Sequence, residues 1–97
     1  MPIKKVHESN ANNSNTVGMY AFFDTKGNRY DTPFFCQNDL FASRHYKMVS
    51  EKEGTMMHTF KNEFNLERLG WFDLQTGGFE DDVETIIFGQ ALKDEEK

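Results

Sequence analysis

Cys36, Asp39 and His45 are the residue types of nucleophilic catalysis: a thiol, a carboxylate and a base. Their spacing does not require them to converge. Cys36 is the sole cysteine, and its plainest reading is an inert, packed thiol in a reducing compartment. Asp81 and Asp82 offer paired carboxylates, but acid–base work needs two groups held in different environments. A solvated acidic run describes them better. His7, His45 and His58 make no zinc spacing with Cys36. Dinucleotide, phosphate-loop, CxxC and HExxH motifs do not occur. These residues therefore predict a protein that is not an enzyme and uses neither metal nor cofactor.

Binding is the chemistry that remains. Proteins hold single-stranded nucleic acid by stacking bases on exposed rings while Lys and Arg follow the phosphates. Tyr20, Phe22, Tyr30, Phe34, Phe35, Trp71 and Phe72 supply rings, and most of the Phe residues read as core. Tyr30 and Trp71 are the better exposed candidates. Lys26, Arg29, Arg44, Lys47 and Arg68 supply charge. The candidate nucleic-acid contacts are thus Lys26, Arg29, Tyr30, Arg44, Lys47, Arg68 and Trp71.

A hairpin feeding a helix must position most of them. Between Met19 and Asp24 the residues alternate between two sides of an extended chain, and aromatics suit a pleated, half-buried surface. Asp24 to Asn28 supplies the turn, with Gly27 and Asn28 able to take positive φ. A second extended run follows, from Arg29 to Phe35. Pro33 lacks a ladder N–H, which predicts that this run is a sheet edge or that Pro33 faces outward. Asn38 is an N-cap residue and Asp39 suits the positive helix end. The helix is expected from Asp39 to Glu53, stopped by Gly54, with Ala42, Tyr46 and Val49 facing the sheet.

Thr55 can cap a short second helix carrying Met56, Met57, Phe60 and Phe64, of which Met57, Phe60 and Phe64 read as core. Leu66 to Leu74 reads as a third strand. Strict alternation puts Leu66, Gly70 and Phe72 on one face and Leu69, Trp71 and Asp73 on the other. Gly70 marks a bulge or a close backbone approach. Thr76-Gly77-Gly78 turns the chain, Phe79 begins a return that Asp81-Asp82 interrupts, and Val83 to Phe88 forms the last strand. The expected fold is α+β: a small two-layer sandwich, its four-stranded, mainly antiparallel sheet covered by the helix on one face. Apolar residues on both strand faces predict that the second face meets ligand or a second copy, so a homo-oligomer, in the simplest case a dimer, is expected.

Ninety-seven residues make one domain. Residues 1–16 read as a polar, Asn/Ser-rich tail, 17–90 as the domain and 91–97 as an acidic tail. Hydrophobic content is only 37%, offset by ten Phe, whose rings bury much area each. Net charge is −5, and Glu80 to Lys97, with seven acids against two lysines, accounts for all of it. No overall basic footprint exists, so phosphate binding depends on Lys26, Arg29, Arg44 and Lys47 forming a local patch. The first residues show no secretory pattern and no apolar run reaches membrane-spanning length, which predicts a cytoplasmic protein with no membrane partner.

Three blocks carry a family resemblance: Tyr20-Ala21-Phe22-Phe23-Asp24-x-Lys26, then Pro33-Phe34-Phe35, then Asn38-Asp39-x-x-Ala42-x-Arg44. A further block, Leu69-Gly70-x-Phe72-Asp73 followed by Thr76-Gly77, agrees in order. Together they resemble the small nonstructural protein of gokushoviruses, single-stranded DNA phages of the Microviridae. The resemblance spans Met19 to about Phe88. It implies a non-capsid phage protein in the host cytoplasm that binds DNA during genome replication or packaging. The alternative is a homodimeric adaptor to host or phage replication or assembly proteins, without nucleic acid. It carries over no site residues.

Overall fold

The structure, a computed structural model, describes residues 15–91. The remainder of the two expected tails lies outside the described residues. Thr16, expected in the front tail, is instead a buried strand residue.

An antiparallel sheet carries the fold, built from β1 (Thr16–Asp24), β2 (Arg29–Tyr30), β3 (Phe34–Cys36), β4 (Phe64–Asp73) and β5 (Phe79–Ile87). β1 and β4 lie at the centre, β5 forms one edge, and β2 and β3 share the other by pairing with the two ends of β1. The expected run from Arg29 to Phe35 is therefore two short strands. It breaks at Asp31-Thr32-Pro33, where proline offers no ladder donor. In the β1–β2 turn, Asp24 Oδ1 accepts the amides of Lys26 and Gly27, both at 3.0 Å. Only Asn28 takes positive φ there, at 56°.

Helix α1 (Asp39–Ser50) begins where the capping chemistry puts it: Asn38 Oδ1 accepts the amide of Phe41 at 3.1 Å. It ends three residues before the expected Glu53. Gly54, at φ 93°, belongs instead to the following turn. Ala42 and Tyr46 are buried against the sheet with Val49 beside them. Tyr46 Oη donates to the Phe64 carbonyl at 2.7 Å, fastening the helix to β4. Thr55 caps the short helix α2 (Met56–Thr59) through the His58 amide. Of its apolar residues only Met57 is buried. Phe60 is exposed rather than core, and Phe64 opens β4.

Bulges decide which side chains share a face. Met19 pairs with Gly70 and Tyr20 with Arg68, so Leu69 is an extra residue in β4. One inserted residue reverses the alternation beyond it. Leu66, Arg68 and Trp71 consequently share the helix face with Gly18, Tyr20 and Phe22, opposite to the regular pattern. Trp71, expected exposed, is 3% exposed. The bulged register also lets β5 run unbroken through Asp81-Asp82, where an interruption was expected.

Candidate binding surfaces

Beside the apolar core, the helix face carries a polar cluster around Arg68. Its guanidinium donates to Asp39 at 2.7 Å, to Glu84 at 2.7 Å, and to Asp82 through both the side chain at 3.3 Å and the carbonyl at 3.2 Å. It also lies over the Trp71 ring, 5.1 Å from the centroid. Trp71 Nε1 donates to Asp82 at 2.9 Å, and Tyr20 Oη to Asp39 at 2.7 Å. Burial works against the Arg68 charge, but Asp39, Asp82 and Glu84 outweigh it and push its pKa up. Burial first, then the bond to Asp39, drives the Tyr20 hydroxyl far above its ordinary range. The cluster joins the start of α1 to β4 and β5. Arg68 and Trp71, two of the predicted nucleic-acid contacts, are consumed in it.

The groups of the supposed triad have other work. Asp39 serves Tyr20 and Arg68, and His45 packs its ring on Phe22 and Phe34 at 5.8 and 4.8 Å. Cys36 is half-buried beside the core, and burial pushes its thiol up. His58 Nδ1 lies 3.2 Å from the Ser50 carbonyl. Among the described residues, no three His, Cys, Asp or Glu side chains are placed to hold a metal ion.

The remaining predicted contacts fall on two sides of the molecule. Arg44 and Lys47 are exposed on the surface of α1 that points away from the sheet. Arg44 lies over the Phe41 ring, 5.5 Å from its centroid. Phe41, Leu40 and Met48 are themselves 43, 57 and 61% exposed. Among the described residues neither cation makes an ion pair, in contrast to Arg68. Tyr30 lies on the opposite face of the sheet, its ring 4.7 Å from that of Phe23. Arg29 lines a shallow cleft together with the acids Asp24 and Asp31. Lys26 stands exposed in the turn between them. The four cations thus do not form the single patch on which the sequence argument depended.

The sheet face away from the helices is covered by no described element and is aromatic. Met19, Phe23, Tyr30, Phe35, Phe72 and Phe79 point to it by register. Phe35 sits 6.0 Å from Phe72, and the Phe79 ring lies over Gly70. Sequence reasoning counted Phe35 among the candidate rings but favoured core for it, and it gave Phe79 no surface role. The pairing of Met19 with Phe35 is the signal that places Phe35 here, and it exists only once the register is known.

Fold and surfaces together define a small α+β domain with one sheet face covered by helix and the other open. The family model described as phage ORF5 protein matches residues 17–92, and the chain belongs to that family. It is thus a phage protein, as the sequence blocks implied. No curated protein and no solved structure matches it. No helix among the described residues is long and apolar enough to cross a membrane.

Proposed function

We propose that the chain is a non-enzymatic accessory protein of a gokushovirus-like phage, binding single-stranded DNA in the host cytoplasm during genome replication or packaging. Family membership and the sequence blocks support the phage setting. The outer face of α1 carries the DNA reading: Arg44 and Lys47 are exposed, with no ion pair to any described residue, beside an exposed Phe41 ring. That combination offers cations to phosphate and a ring to a base. Much of the acidity lies elsewhere, since β5 alone carries Glu80, Asp81, Asp82 and Glu84.

Two phosphate contacts make weak binding with a shallow salt dependence. For a single strand the logarithmic slope is about −0.7 per neutralised phosphate, so roughly −1.4 here. Fluorescence anisotropy of a labelled oligothymidylate, titrated across salt concentrations, measures it. Arg44→Ala with Lys47→Ala should remove the slope, whereas Lys26→Ala with Arg29→Ala should leave it. Absence of binding at low ionic strength would refute the reading. The adaptor alternative draws on a different observation, the uncovered sheet face, and expects no oligonucleotide binding at any salt.

A further inference from the structure

We propose that the open sheet face is the interface of a symmetric homodimer, in which two copies stack sheet on sheet as a helix–sheet–sheet–helix sandwich. The inference rests on this face and not on the DNA reading. The face carries six large apolar side chains from all five strands: Met19, Phe23, Tyr30, Phe35, Phe72 and Phe79. Phe35 and Tyr30 are 55% and 44% exposed, although rings are the costliest groups to leave in water. Aromatic enrichment with few charges is the mark of an interface core.

Charge selects the occupant. No strand residue that faces this side is Lys or Arg, so an acidic or polyphosphate partner finds no counter-charge. Glu67 faces it too, but is 7% exposed, and its carboxylate already accepts from Thr85 at 2.9 Å and Asn65 at 3.4 Å. Asp81, on the edge strand, sits at the rim. Two chains of net charge −5 repel overall, and a nearly uncharged face is where they can meet.

The edges point the same way. One is broken by Pro33 between β2 and β3, and the other is studded with the four acids of β5. Both devices discourage strand addition and leave face-to-face packing. The area suffices for a modest dimer. Strands of nine and ten residues are about 30 Å long, and four strand positions span about 19 Å, a footprint of roughly 570 Å² per copy. Some 1,100 Å² in total is at the small end of specific interfaces, which suggests a dissociation constant on the order of micromolar.

Sedimentation equilibrium of the full chain at concentrations up to roughly 100 µM tests it, well above a micromolar constant. Twice the chain mass is expected, falling to one chain on dilution. Phe35→Glu and Tyr30→Lys should each give monomers with unchanged far-ultraviolet circular dichroism, whereas Phe41→Glu on the helix surface should remain dimeric. Using two exposed positions guards against one variant failing to fold. A parent chain that stays monomeric overturns the inference, as does a dimer lost on Phe41→Glu and kept on both sheet-face variants. Oligonucleotide binding by a monomeric Phe35→Glu chain would leave the DNA reading intact, so the two proposals fail separately.

Discussion

Replacing Arg68 by Met tests the polar cluster directly. The Arg68 side chain is 8% exposed, while those of Asp39, Asp82 and Glu84 are 41, 32 and 63% exposed. Breaking a buried pair costs about 3–5 kcal/mol because the abandoned charge stays buried. Here the abandoned carboxylates reach water, which argues for the lower end. Against that, three like charges are left close together, and Trp71 loses its stacked cation. The expected loss is about 3 kcal/mol, a large share of the roughly 4–12 kcal/mol of a domain this size. At about 4–8 °C per kcal/mol, the melting temperature should fall by about 12–24 °C. Arg68→Lys retains charge without the planar fork and should lose about half as much. Arg44→Met, on the surface and with no ion pair to any described residue, should change stability by less than about 0.5 kcal/mol. Trp71 is the only tryptophan and touches the cluster, so its fluorescence follows unfolding in each variant. If Arg68→Met melts within about 0.5 kcal/mol of the parent, the cluster is worth no more than a surface ion pair and the reasoning fails.

Two further expectations concern the packing. A Cβ on Gly70 would clash with the Phe79 ring and stand 2.5 Å from the Glu80 carbonyl, so Gly70→Ala should cost about 1–3 kcal/mol in urea denaturation. An unchanged midpoint would mean that both the ring and the β5 backbone are free to move aside. Burial pushes the Tyr46 hydroxyl up to about 12. A raised folded pKa contributes stability below the unfolded value near 10, and that contribution is lost as pH rises toward 12. Alkaline unfolding of the parent should therefore be steeper between pH 10 and 12 than that of Tyr46→Phe. Equal slopes would remove Tyr46 from the account.

Local signals were legible wherever a single residue decides the outcome. Asn38 caps α1 because its side chain reaches an amide three residues on, and Thr55 does the same for α2. Pro33 marks an edge because it has no donor to give. Ala42 and Tyr46 face the sheet because a helix repeats every 3.6 residues. These facts concern neighbours in the chain, and they carried the fold class and the sequence blocks of the family.

The surfaces were decided elsewhere. Regular alternation put Trp71 outside, and one inserted residue at Leu69 turned it inward, because a strand has period two and a bulge reverses everything beyond it. Arg68 looked like a free cation until β4 met Asp39 of α1 and Asp82 and Glu84 of β5, residues 14 to 29 positions away. Lys26, Arg29, Arg44 and Lys47 are near in sequence, yet they stand on a turn, a strand and a helix surface. Residue types alone thus determined a hairpin, a capped helix and a sheet with apolar residues on both faces. Which rings stand in water, and which charges are free to meet a partner, depended on strand register. No local pattern encodes it, because it is fixed by pairing between distant segments.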